Sequence, residues 1–212
     1  MTRQYRIGIG GLFGGLFGLC LATCGPPPFY PFAEAVPVSS TEDFDIPSPS
    51  GQWRFATRDD LNWVRDVLKP LEGRLGSLQS GSGFCPVIYD RVGGGGWTTS
   101  LSSCFRVEAY QRNPTTPFNN AALARAVQGY GSRRGSLPVV VKQAMPFAGL
   151  EFLRLTHPKC LGGQALVRIE ESRVLVVLFH DGCAGTGSKQ WRAAERVRFK
   201  PAPLIPRPSP GR

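Results

Sequence analysis

The chain has 212 residues, 42% hydrophobic and only 19% charged, with a formal net charge of +10. Such a composition can bury a core, which excludes a wholly disordered chain, and the length sets one domain or one domain with tails. The positive charge opposes cationic partners, and 26 Gly with 19 Pro call for many turns and irregular segments.

The first segment reads as a targeting sequence rather than as part of the fold. Arg3 and Arg6 precede an uncharged run from Ile7 to Thr23 rich in Leu, Phe and Gly. Leu21-Ala22-Thr23-Cys24 then resembles a bacterial lipoprotein signal, with a Leu three residues before the Cys that is lipidated; Thr23 stands where a smaller residue is usual. Three readings stay open for residues 1–24: a lipoprotein signal lipidated at Cys24, plain cleavage near Ala22, and a retained membrane anchor. All three place residues 25–212 outside the cytoplasm, because the arginines stay inside. The expected location is the periplasm, the outer side of the inner membrane, or the outer membrane of a bacterium.

Residues 25–50 carry Pro26, Pro27, Pro28, Pro31, Pro37, Pro47 and Pro49 among serines. Proline fixes φ and removes donors, so this stretch is expected to be an extended tether. The tail 201–212 repeats the Pro-rich, basic composition, which leaves residues 51–200 as the folded domain.

Within that domain Trp53-Arg54-Phe55 reads as a short strand. Thr57 caps a helix with Asp59 and Asp60 in its first turn, and Leu61, Val64, Leu68, Leu71 and Leu75 form its apolar stripe. Pro70 should kink or end that helix. The Gly- and Ser-rich run from Gly76 to Gly83 is expected to be a loop.

Cys85 and Cys104 lie equidistant from the centre of Gly93-Gly94-Gly95-Gly96, which predicts an antiparallel hairpin closed by a cross-strand disulfide. In that register Phe84 opposes Phe105, Ile88 opposes Leu101 and Val92 opposes Trp97, all on the face opposite the cysteines. A one-residue slip would destroy both the apolar face and the pairing. Pro86 argues for an edge strand over 84–92. Asn119 or Asn120 caps a second helix, Ala121 to Gln128. Gly131 to Ser136 then forms a basic loop holding Arg133 and Arg134. Val139 to Val141 and Glu151 to Leu155 read as strands.

Cys160 and Cys183 are equidistant from Glu171-Ser172, which predicts a second disulfide-stapled hairpin. Ala165, Val167 and Ile169 then face Leu178, Val176 and Val174, and Glu170 faces Arg173. The run Val174 to Phe179 is apolar on both sides and should be a central strand. Glu171-Ser172 poorly suits a two-residue turn with positive φ, so a wider loop is expected. A last strand, Glu195 to Lys200, alternates Arg196, Arg198 and Lys200 with Val197 and Phe199. The fold class is α+β: a mainly antiparallel sheet of about six or seven strands, two helices on one face, and two disulfide-stapled hairpins. Two disulfides imply an oxidising compartment.

Both histidines stand three residues before a cysteine, in His157-Pro-Lys-Cys160 and His180-Asp-Gly-Cys183. This spacing raises a zinc-stabilised module, with His157, Cys160, His180 and Cys183 as ligands, beside the plain disulfide. His180-Asp181 is the fragment an envelope hydrolase would use, although neighbours on a strand point to opposite faces. Ser136, Ser172 and Ser188 have no nucleophile context. No phosphate-binding loop, His-Glu-x-x-His or dinucleotide fingerprint occurs, so no cofactor is expected.

The charge carries the functional expectation: an exported, lipid-anchored binding or structural module of the bacterial envelope. Arg133, Arg134, Arg196, Arg198 and Lys200 are its candidate contacts. The partner is another envelope protein or an anionic surface such as lipid headgroups or acidic polysaccharide, with nucleic acid kept open.

Overall fold

The computed structural model describes residues 39–90, 96–99, 103–112, 118–131, 139–157 and 163–202. Cys24, Val92, Leu101, Arg133, Arg134, Ser136, Cys160 and the tail beyond residue 202 lie outside the described residues.

The strand that organises the fold is β10 (Arg173–Phe179), and all seven of its residues are buried. A strand apolar on both faces needs a neighbour on each edge and a cover on each side. It pairs antiparallel with β6 (Phe105–Arg112) on one edge and β9 (Gln164–Ile169) on the other. The main sheet continues outward through β4 (Leu75–Asp90) to β3 (Trp53–Phe55) on one side. On the other it runs through β8 (Leu150–Thr156) to β7 (Val140–Phe147). The tip of β4 also pairs with β5 (Gly96–Thr99). All these pairings are antiparallel, as the α+β reading requires.

The β9–β10 hairpin has the predicted register: Val174, Val176 and Leu178 face Ile169, Val167 and Ala165. Arg173 Nε lies 2.8 Å from Glu170 Oε2. The expected wider loop is instead a two-residue connection, closed by Glu170 N–H donating to Arg173 O at 2.9 Å. Neither Glu171 nor Ser172 takes positive φ, so the turn avoids the strain that motivated a longer one.

The first hairpin keeps the predicted pairing of Phe84 with Phe105, and Cys85 and Cys104 form a disulfide. Two expectations about its surroundings are corrected. Gly76 to Gly83 is not a loop but part of β4, laid along β6. The glycines permit this closeness: a Cβ on Gly83 would stand 2.1 Å from Phe105 O. Toward the tip, Ile88 pairs with Thr98 and Tyr89 with Trp97, so the register slips relative to the predicted Ile88–Leu101 and Val92–Trp97 pairs. Cys104 itself lies outside the regular ladders. Pro86 falls just past the end of the β6 ladder, where its missing N–H has no β6 carbonyl to serve.

The two expected helices do cover one face. The first is 3-10 rather than α, over Asp59–Leu61 and Trp63–Leu71. Leu61, Val64, Val67 and Pro70 recur every third residue and are all buried, matching the three-residue turn of a 3-10 helix. Pro70 also removes one donor that an α-helix would need. Leu75, assigned to the stripe by spacing, belongs to β4. The second, α1 (Asn120–Gly131), starts where Asn119 Oδ1 accepts Ala122 N–H at 2.8 Å. Leu61, Val64, Leu71, Leu123 and Val127 pack with Val174, Val176 and Leu178 from the sheet.

The opposite face has its own cover. Trp191 and Ala194 of α2 (Lys189–Ala194) pack with Phe105, Val107, Leu175, Val177 and Phe179. Phe44 and Ile46 of β2 (Phe44–Ile46) join this second core. Strand β2 stands between β1 (Ser39–Ser40) and β11 (Arg198–Phe199) in a small antiparallel sheet. Two sequence readings are corrected by this. Residues 39–46 are folded rather than tether, because Phe44 and Ile46 alternate with Asp45 and are fully buried. The expected strand Glu195–Lys200 shrinks to Arg198–Phe199, because α2 runs into it.

Candidate functional site

Helix α2 is short and fixed. Ser188 Oγ caps it by accepting Trp191 N–H at 3.2 Å. Trp191 stacks on Phe179 with ring centres 5.1 Å apart and meets Phe147 edge-on at 5.2 Å. Burying Trp191 turns Lys189 and Arg192 outward, and Arg196 follows just past the helix end, all three exposed. Opposite them, Trp53 donates its indole N–H to Ser50 O at 3.0 Å and meets Phe105 edge-on. Lys189 Nζ stands 5.1 Å from the Trp53 ring centre, a cation–π contact.

Between these pieces lies a hollow of about 510 Å³ whose wall carries Pro49, Trp53, Lys189, Arg192, Ala193 and Arg196. No carboxylate lines it. Several other cations among the described residues sit beside acids: Arg54 on Asp60, Arg65 and Arg106 on Glu108, Lys69 on Asp66, Arg168 and Arg173 on Glu170. The arrangement can hold an anion.

Of the expected cations among the described residues, Arg196, Arg198 and Lys200, only Arg196 lines this hollow. Arg198 sits opposite Asp45 in the β11–β2 ladder. Lys200 Nζ is 3.0 Å from Asp45 Oδ1 and donates to Thr41 O at 2.5 Å, so its charge is matched within the fold. Hydrogen bonds from Ser40 and Lys200 hold the Asp45 carboxyl below its ordinary value. The three do not form one basic strand face, since the regular strand is only two residues long. Lys189 and Arg192 were missed because nothing in the sequence marks 189–194 as a helix facing Trp53. The available signal was Ser188 as a cap before Trp191 and Ala193-Ala194.

Comparison of the chain with protein-family models, curated proteins and solved structures finds no match to any of them.

His180 follows β10 on the face covered by the 3-10 segment. Trp63 Nε1–H donates to His180 Nε2 at 2.7 Å. Burial holds His180 below the ordinary imidazole value, against the pull of Asp181 and Asp60. The ring is thus neutral, with its Nε2 lone pair occupied by an indole and its proton on Nδ1. Asp181 Oδ1 accepts Cys183 N–H at 2.8 Å, which shapes the turn instead of orienting the imidazole. Ser188 caps α2, and Ser172 lies at the other end of β10, about 26 Å from His180 at the rise of a strand. Among the described residues no serine hydroxyl is hydrogen-bonded to His180 or Asp181.

The zinc reading fails on the chemistry of one ligand. Cys183 is disulfide-bonded and offers no thiolate. His157 is buried beside Thr156, and no three His, Cys, Asp or Glu side chains among the described residues gather to hold a metal.

A buried polar cluster went unread in the sequence. Arg106, Glu108 and Tyr110 alternate along β6 on the face toward the 3-10 segment. Arg65 Nη1 reaches Glu108 Oε1 at 2.6 Å, Arg106 Nε reaches the same oxygen at 2.9 Å, and Tyr110 donates to Oε2 at 2.5 Å. Burial raises the affinity of Glu108 for a proton, yet the bonds from Arg65 and Tyr110 outweigh it and hold the carboxyl below its ordinary value. Burial and the Glu108 charge push the Tyr110 hydroxyl well up. Every oxygen of Glu108 is engaged, so the cluster clamps the 3-10 segment to β6.

Proposed function

We propose that the protein is an exported, lipid-anchored module of the bacterial cell envelope that binds an anionic surface through the hollow beside α2. Cys24 is its lipidation site, and Cys160 is the partner of the disulfide-bonded Cys183. The location is the periplasmic side of the inner membrane or the outer membrane. The disulfide between Cys85 and Cys104 supports an oxidising compartment. Arg3 and Arg6 before an uncharged run ending at Cys24 support export. The observation that carries the binding reading is the grouping of Lys189, Arg192 and Arg196 around one concavity without an acid in its wall. Such a field attracts anions and weakens with salt.

Sedimentation with phosphatidylcholine vesicles, with and without phosphatidylglycerol, tests the reading across a salt series. Binding should require the anionic lipid, fall as salt rises, and drop in the triple variant Lys189→Gln, Arg192→Gln, Arg196→Gln. Binding indifferent to ionic strength would overturn it. Intact mass of the protein from its native host, with and without reductant, reads cleavage, lipidation and both disulfides together.

A further inference from the structure

We infer that the hollow beside α2 is a site for a phosphomonoester group, two negative charges on one tetrahedral head. The inference rests on the reading of this hollow as the anion-binding surface and assigns its ligand class.

Charge matching comes first. Two guanidinium groups and one ammonium face a cavity with no acidic wall residue. A carboxylate or a sulfate ester brings one charge and leaves two cations uncompensated. A phosphomonoester carries about −1.5 to −2 near neutral pH and three acceptor oxygens. Arginine forks bind such oxygens in pairs, and a lysine adds a mobile point charge. Lys189 rests over the Trp53 ring, and Arg196 reaches Ser48 O only at 3.5 Å. Neither contact competes with a dianion.

Shape points the same way. About 510 Å³ exceeds what a bare ion needs and suits a headgroup-sized molecule. Pro49 and Ala193 give the wall an apolar part for a short carbon skeleton. Trp53 is only 6% exposed and Lys189 stands over its ring, so it offers no free face on which a nucleobase could stack. The backbone beneath the cations is rigid, held by Trp191 against Phe179 and Phe147 and by Trp53 against Ser50.

The test is an NMR titration of the arginine Nε–H resonances of the full chain with inorganic phosphate. In parallel, vesicles carrying phosphatidic acid (a monoester) are compared with vesicles carrying phosphatidylglycerol (a diester) at matched surface charge. The expected result is saturable shifts at Arg192 and Arg196. In the double variant Arg192→Gln, Arg196→Gln, affinity falls by about tenfold or more, while Arg125→Gln on the other face of the sheet changes nothing. Preference for phosphatidic acid places the group on a lipid, and phosphate binding without that preference places it on a soluble molecule; both support the site. Shifts that never saturate, or that weaken equally in Arg125→Gln, overturn it. Should phosphate fail while phosphatidylglycerol vesicles still bind through Arg192 and Arg196, the phosphomonoester assignment falls and the anionic-surface reading stands. Loss of both ends both.

Discussion

Glu108 shows how a single residue hides from the sequence. It is fully buried, yet it lies on a strand with arginine two residues before and tyrosine two residues after, a pattern that reads as a solvated face. Its main partner, Arg65, is 43 residues away in the chain, so no local spacing reveals the cluster. Glu108→Gln should cost about 3 kcal/mol in urea unfolding, because it leaves two guanidinium groups facing a neutral amide in a buried site. A loss below a few tenths would mean that water reaches the cluster. His180 was legible as unusual but not in its role, since Trp63 is 117 residues away. Its folded-state proton affinity lies below the ordinary 6.5, with burial as the leading cause. As pH falls, the unfolded imidazole takes up a proton first, so the contribution of His180 is complete above that value and lost below it. Protonation also removes the acceptor for the Trp63 indole. The thermal midpoint should drop from mildly alkaline to mildly acidic buffer by less in His180→Gln than in the parent chain. An unchanged slope would show that the carboxylates alone set it.

At the scale of elements, legibility follows how many independent signals fix a register. The β9–β10 hairpin was readable because apolar alternation and the Glu170–Arg173 pair agree on one alignment. The β4–β6 pairing was readable at Phe84–Phe105 and lost at the tip, where Gly93 to Gly96 impose no side-chain pattern. Strand β7 runs beyond the expected Val139 to Val141, although Lys142, Gln143 and Pro146 interrupt its apolar run; as the outermost strand it tolerates them. The Gly-rich half of β4 reads as a loop in sequence, because glycine commonly marks flexibility, whereas here it permits close approach to β6. Gly83→Ala should therefore destabilise by about 3 kcal/mol, since a Cβ would meet Phe105 O at 2.1 Å and Arg106 Cα at 2.5 Å. Gly187→Ala, where a Cβ meets nothing within 4 Å, should leave the denaturation midpoint almost unmoved. Equal effects at the two positions would mean that glycine acts here through the unfolded chain.

At the scale of the molecule, the sequence disclosed one covered face of the sheet and left the other bare. The missing layer comes from chain ends: α2 near one, β2 near the other. Prolines on either side of Asp43-Phe44-Asp45-Ile46 conceal a strand only three residues long. Yet that strand closes the second core. Phe44 and Ile46 are fully buried, and Asp43 Oδ1 lies 2.8 Å from Arg173 Nη1, with Ser80 Oγ donating to its other oxygen at 2.6 Å. A chain cut at residue 51, the boundary that proline content suggests, loses all of this. Burial of a Phe and an Ile contributes about 1.5 to 3 kcal/mol each. A buried arginine stripped of one of its carboxylates costs about 3 kcal/mol more. The sum is comparable to the whole stability of an ordinary domain. Residues 51–212 should therefore show no cooperative thermal transition, whereas a chain beginning at Ser39 keeps every contact named here and should melt as sharply as the full one. A cooperative transition in the shorter chain would mean that the sheet and the 3-10 face hold the fold without β2, and that the second core is dispensable.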